Sequence, residues 1–215
     1  MKLNECEKEP KTLSYKKMNN LSTILKEFDG RGLSEEQLTD KFEEIAKAAI
    51  FGGHFRVNDD YNIYINEIEF YFHSENESES AIHDWAMYHR NHKGINVDYF
   101  PIGLLHPHNS GLDVTFERKD FYRASFLIRK YRIGDIVIKT PSYLREDLIG
   151  YTGCILGDGP RISWVNDDYD NTPILSRSTR INLSAYDVDG NPLFDEHGKK
   201  LNDKRPWRFS RPDGL

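Results

Sequence analysis

The stretch 65–74, INEIEFYFHS, sets Glu67 and Glu69 two residues apart in a run of Ile, Phe and Tyr. In an extended strand, positions i and i+2 point to one face. Strict alternation therefore puts both carboxylates beside Ile65 and Tyr71, with Asn66, Ile68, Phe70 and Phe72 on the other face. Two carboxylates roughly 6–7 Å apart on a poorly solvated face compete for one proton, the condition that fits a carboxylate for general-base work. The alternative is a structural pair at a sheet edge, either solvated or bound to arginine.

Other side chains have comparable potential. Asp113 in GLDVTF alternates with Leu112 and Val114, so it faces away from them, toward either solvent or a site. Arg129 in RASFLIRKYRI shares a strand face with Ser125 and Leu127, and if buried it requires a carboxylate or phosphate partner. His73, His83, His89, His92, His106 and His108 include imidazoles suited to a metal, but no HExxH or HxH…D spacing is convincing. The proline in HPH, 106–108, is expected to break strand geometry. A His/Asp metal hydrolase built on His83, His106, His108 and Asp113 is therefore an alternative, with no metal or cofactor expected in the leading reading. DVDGN reads as a hairpin turn and lacks the ligands of a calcium loop; GDGP at 157–160 is likewise a turn.

Residues 118–145 carry eight Lys/Arg against Asp120 and Asp135, a local +6 in a chain of net charge −6. Phe121, Tyr122, Phe126 and Tyr131 are interleaved. That mixture suits contact with nucleic acid or a nucleotide, and equally suits an amphipathic strand pair with a charged outer face. The overall negative charge argues against a protein that coats nucleic acid without specificity.

The elements that must position these residues follow from periodicity. Residues 1–20 are polar, Lys/Glu-rich and expected to be a mobile tail ahead of a single domain over 21–215. LSTILKEF predicts a short helix, and LSEEQLTDKFEEIAKAAIFGG a long one. In the latter, Ser34 and Gln37 form a capping box, and Leu38, Phe42, Ile45 and Ala49 recur at helical spacing. HFRV, NIYINEIEFYF, GLDVTF, RASFLIRKYRI, GDIVI and ILGDGPRISWV read as strands, SYLREDLIG as a short helix, and 176–201 as strands joined by Asp-Gly turns. No internal repeat is visible. The fold expected is α+β, a curved and mostly antiparallel sheet flanked by a few helices. Cys6 and Cys154 stand far apart, and no run approaches the ~20 apolar residues of a membrane span. A cytoplasmic protein in reducing conditions is expected.

Taken in order, these pieces resemble the alkyladenine (3-methyladenine) DNA glycosylase family. NEIEFY is similar to that family's ETEAY-like strand, with His83 following at a similar remove. HNSGLDVTF resembles its strand ending in Asn-Ile-Ser, FLIRKYRIG its LLRALEP-like strand, and RPWRFS its C-terminal PLRFYV-like strand. The likeness spans about residues 40–210. It implies a glycosylase-like fold in which Glu69 activates water for attack on the sugar C1′. Tyr71 and His83 would hold a flipped base, and Arg129 would orient a carboxylate or phosphate. Asp113 stands where the family has Asn and joins Glu69 as a catalytic candidate; His106 joins the substrate-binding set. The chain departs from the family again at 95–112, which lacks the Tyr-rich hairpin. The resemblance implies a base- or nucleotide-recognising pocket that hydrolyses an N-glycosidic bond; the alternative is a non-catalytic binding protein of the same fold.

Overall fold

The computed structural model describes residues 20–76, 81–91, 95–148, 161–167 and 174–212. The tail through residue 19, both cysteines and the GDGP turn lie outside these residues.

Helix α1 (Leu21–Glu27) starts at Asn20, whose side chain accepts the Ser22 N–H. Helix α2 (Glu35–Phe51) starts with the predicted capping box. Ser34 Oγ accepts the Gln37 N–H and Gln37 Oε1 accepts the Ser34 N–H, satisfying two donors that helix geometry leaves unpaired. Leu38, Phe42, Ile45 and Ala49 form its buried stripe. Gly52 closes the helix and Gly53 opens the next strand, so the two glycines make a helix-to-strand junction.

The strands are β1 (Gly53–Val57), β2 (Tyr61–Ser74), β3 (Leu105–His108), β4 (Gly111–Thr115), β5 (Tyr122–Ile133), β6 (Ile136–Ile138), β7 (Ile162–Asn166), β8 (Ser176–Ser178) and β9 (Arg208–Ser210). They form an antiparallel sheet in the order β3-β4-β5-β2-β1-β7. β6 adds to β5, while β9 pairs β2 and carries β8. The sheet curls into a half-barrel, and with α1, α2 and α3 (Pro141–Asp147) makes a single α+β domain. Pro107 does not break its strand as expected: β3 is the sheet edge, where a missing N–H costs no ladder bond.

β2 is the strand on which the others depend, and it does not alternate strictly. Ile65 pairs Tyr131, Glu67 pairs Lys130, and Ile68 pairs Ile128. Asn66 on β2 and Arg129 on β5 are thus the extra residues of two compensating bulges. Before them Ile63 and Ile65 face the core; after them Ile68, Phe70 and Phe72 do. The bulges correct the expected grouping: Ile65 belongs with Ile68 and Phe70, not with Glu69 and Tyr71. Bulges characteristically re-aim side chains beside sites.

The core is aromatic. Phe42 of α2 stacks on Phe70 at 4.3 Å between ring centroids and meets Trp207 edge-on at 5.1 Å. Trp207 Nε1 donates to Thr39 Oγ1 at 2.9 Å, so the chain's C-terminal end is fixed to α2.

The last segment holds a repeat that the sequence reading passed over. Ala185, Leu193 and Leu201 close a ring of backbone bonds, each N–H bonding another member's carbonyl at 2.8–2.9 Å. Asp187 Oδ1 accepts the N–H groups of Asp189 and Asn191, and Asp195 Oδ1 those of His197 and Lys199. Gly190 and Gly198 supply the left-handed backbone, φ 82° and 74°, on which each turn depends. The period is eight residues: Asp187, Asp195 and Asp203 keep one phase.

Replacing Ser34 by alanine removes one half of the α2 cap and is expected to lower stability by about 1 kcal/mol. Urea denaturation followed by far-ultraviolet circular dichroism measures it; no change in midpoint would show that packing alone holds the helix start.

Candidate functional site

The face of the sheet opposite the helices carries the polar residues. Cross-strand register runs His106, Asp113, Leu127, Glu69, Arg208 from edge to centre. Glu69 and Asp113 therefore sit two strands apart across Leu127, roughly 10 Å at the usual strand spacing. Above them lies a cleft of about 360 Å³. Its floor is Tyr71, Asp113, Leu127 and Arg129; loop residues Ala86 and Tyr88 form one wall, and Ile181, Asn182 and Leu183 another. Asn182 holds the left-handed φ of 57° that an asparagine tolerates.

Glu69 is fully buried, accepts two hydrogen bonds and forms one ion pair. Ile181 N–H reaches Oε1 at 2.8 Å, Tyr71 Oη–H reaches Oε2 at 3.1 Å, and Arg129 Nε lies 2.9 Å from Oε2. Burial, and next the charge of Glu69, push the Tyr71 pKa up, so this hydroxyl keeps its proton and donates it. Glu67 is bound separately, by Lys130 Nζ at 2.5 Å and by Arg208 Nε and Nη2 at 2.8 Å. The arginine-bound alternative thus describes the chemistry of both carboxylates, but they are buried, and Glu69 lies directly beneath a cleft. Asp113, 1% exposed, lines that cleft with Oδ1 3.1 Å from His108 Nε2 and Oδ2 accepting from Ser125 at 3.2 Å.

Tyr71, Asp113, Glu69 and Arg129 are thus brought together. His83 is not: its ring stacks on Trp85 at 5.8 Å and meets His73 at 5.5 Å, away from the cleft lining. Ile82 lies beside Ser74, its carbonyl accepting the Ser74 N–H, which aligns His83 with His73 and places it beyond Tyr71. His106 sits behind the cleft wall, its Nδ1 2.5 Å from Tyr88 Oη. Burial, and next the neighbouring His89, hold its pKa below the ordinary imidazole value. Among the described residues no group of three or more His, Cys, Asp and Glu is arranged to hold a metal ion.

The basic segment is not a single face. Arg123 is buried against Glu75 and Glu117, Arg118 pairs with Asp29, and Arg129 and Lys130 take Glu69 and Glu67. Arg132 lies over the Tyr64 ring at 4.0 Å. Four of the eight cations are thus taken by carboxylates on several sides of the strand, because alternation and the bulge turn successive cations different ways.

Sequence reasoning did not find the residue that closes the site. Arg180 is buried and donates to Asp84 Oδ2 at 2.6 Å, to Asp84 Oδ1 at 3.1 Å and to Phe70 O at 3.1 Å; it also pairs with Asp203. Its guanidinium lies 5.0 Å from the Tyr71 ring centroid and 5.2 Å from that of Trp207. Burial works against its charge, but Asp84 and Asp203 outweigh that and raise its pKa. Asp84 is buried as well, and Arg180 holds its pKa below the usual carboxylate value. Arg180 immediately precedes Ile181, so this cluster delivers the Ile181 N–H to Glu69. The eight-residue spacing of Asp187, Asp195 and Asp203 was the available signal for the segment; nothing in SRSTRIN marks Arg180 as buried.

No protein-family model and no curated protein matches the chain. Among the described residues no helix is long and apolar enough to cross a membrane.

Replacing Arg180 by methionine leaves the buried Asp84 and Asp203 only the longer contacts of Arg205, at 3.5 and 4.0 Å, and is expected to cost about 3 kcal/mol, read from chemical denaturation. A loss under 1 kcal/mol would show the cluster to be incidental. Burial, opposed by Glu75 and reinforced by His83 and Arg90, holds His73 at a pKa of about 4 against 6.5 for the free imidazole. Between those values the unfolded chain binds more protons, so stability falls as pH drops from 6.5 toward 4. The His73 contribution to that fall is about 3 kcal/mol; H73Q should flatten the stability–pH curve in that window, and an unchanged curve refutes the assignment.

Proposed function

We propose that the cleft binds a nucleobase, free or within a nucleoside or nucleic acid, and that it serves hydrolysis of an N-glycosidic bond. The observation that carries this reading is the convergence of Glu69, Tyr71, Asp113 and Arg129, four positions in the motifs that resemble the glycosylase family, at one cleft. Its volume is at the lower end of the range for small-ligand sites, enough for a base with part of its sugar.

The two carboxylates divide the work. Glu69 is sealed beneath the floor by two donors and an ion pair and acts as a positioning residue, setting the Tyr71 hydroxyl and the Arg129 guanidinium. Asp113 lines the cleft and is the group placed to take a proton from an attacking water. Water oxygen bonds to C1′, its proton passes to Asp113, the C1′–N bond breaks, and the base leaves with that electron pair and is protonated from solvent. Arg129 counters negative charge that develops at the floor.

A non-catalytic binding protein is the second reading, favoured by one observation: Glu69, the base implied by the family motif, is fully buried, hydrogen-bonded by Tyr71 and the Ile181 N–H and ion-paired with Arg129.

Release of free base from a nucleoside panel and from alkylated DNA, followed by chromatography, separates the two. D113N is expected to lower turnover by about 100-fold or more with binding retained, and E69Q to reduce both through loss of the floor geometry. Base release unaffected by D113N would overturn the Asp113 assignment. Base binding without release by the unmodified protein would select the second reading.

A further inference from the structure

His108 is held at both ring nitrogens, and one of its two partners fixes where its proton sits. It lies on β3 two residues from His106, which pairs Asp113 across the β3–β4 ladder, so all three side chains share one sheet face. The Ser110 backbone N–H, which can only donate, reaches His108 Nδ1 at 3.2 Å. Nδ1 therefore carries a lone pair, and the proton of the neutral ring is on Nε2, 3.1 Å from Asp113 Oδ1. Turning the ring over would set carbon atoms against both partners and lose both bonds. Tyr88 packs alongside, its ring centroid 4.8 Å from that of His108. The other carboxylate oxygen of Asp113, Oδ2, accepts from the Ser125 hydroxyl. One donor on each oxygen fixes the carboxylate plane, and each oxygen keeps a lone pair. Asp113 and His108 both line the cleft.

We infer that His108 is a positioning residue for Asp113: it aims the carboxylate at the attacking water and takes no proton itself. This rests on the hydrolytic reading above and deepens it. Neither nitrogen of His108 is free for water, because Nδ1 is used by the Ser110 N–H and Nε2 carries the proton that Asp113 binds. The arrangement inverts that of a Ser-His-Asp site, where a carboxylate orients the imidazole that moves the proton. Here the imidazole orients and the carboxylate acts. Water oxygen bonds to C1′, its proton passes to Asp113, and the His108 proton stays on Nε2 throughout.

The test measures base release by the full chain and by H108F, H108N and H108Q, using the nucleoside panel and alkylated DNA. H108F keeps a ring against Tyr88 and removes both hydrogen bonds. H108N leaves an acceptor for the Ser110 N–H but no donor that reaches Asp113, whereas the longer amide of H108Q can restore that donor. H108F and H108N are expected to lower kcat by about tenfold or more with KM within about twofold, and H108Q to stay within about threefold of the unmodified kcat. Independently of turnover, heteronuclear magnetic resonance of the imidazole nitrogens reads the tautomer, with the His108 signals identified by their loss in H108Q. A proton on Nε2 and a bare Nδ1 are expected at neutral pH. A proton on Nδ1, a cationic ring, an H108Q as slow as H108F, a loss confined to KM, or an H108F as fast as the unmodified protein overturns the positioning role and leaves the hydrolytic reading standing. Absence of base release by the unmodified protein overturns that reading and this role together.

Discussion

The buried guanidinium of Arg180 is the interaction on which the molecule's working face depends. Three pieces of chain distant in sequence meet on it: the Phe70 carbonyl of β2, the Asp84 carboxylate of the loop, and Asp203 from the third repeat of the C-terminal segment. Buried ion pairs seldom add stability over an apolar replacement, because desolvation consumes the attraction. What this one supplies is position. It fixes where residue 181 passes over the sheet, and so which oxygen of Glu69 is covered and how wide the cleft is.

Two opposed requirements are met on the two faces of β2. The face toward α2 is a close-packed aromatic stack, Phe42 on Phe70, with Trp207 set edge-on. The other face must hold Glu67 and Glu69 side by side out of water. The paired bulges at Asn66 and Arg129 reconcile the two: they change which side chains face inward halfway along both strands without breaking the ladder. They also fall where the neighbour of β2 changes from β1 to β9, so the bend and the change of partner coincide.

Much of this was legible in the sequence, for reasons that can be named. Helix α2 had a cap, a stripe and a terminating glycine pair. The relation of Asp113 to Leu112 and Val114, and of Arg129 to Leu127, follows from period-two alternation, which gave the correct side for both. Alternation failed at Ile65 because a bulge leaves no mark in residue type. His83 lies outside the cleft lining because hydrogen bonds of Ile82 and Asp84 to β2 decide its place, not spacing along the chain. Arg180 was invisible because burial of a cation is decided by where Asp84 and Asp203 arrive, not by its neighbours in sequence. The basic segment is a similar case: composition counts charges, while the fold gives Arg118, Arg123, Arg129 and Lys130 to carboxylates.

The placement of β9 has a consequence for how the chain is made. β2 is synthesised early, yet the edge it offers at residues 67–69 stays open until residues 208–210 arrive, 141 positions later at the Arg208–Glu67 contact. The donor to Glu69 comes 112 positions after it. A nascent or truncated chain therefore carries an unpaired strand edge on which Glu67 has Lys130 but not Arg208, and Glu69 has Arg129 but not the Ile181 N–H; an edge so studded with charge deters neighbouring chains from adding to it. The ion pairs of the finished structure also serve as a guard on the unfinished one.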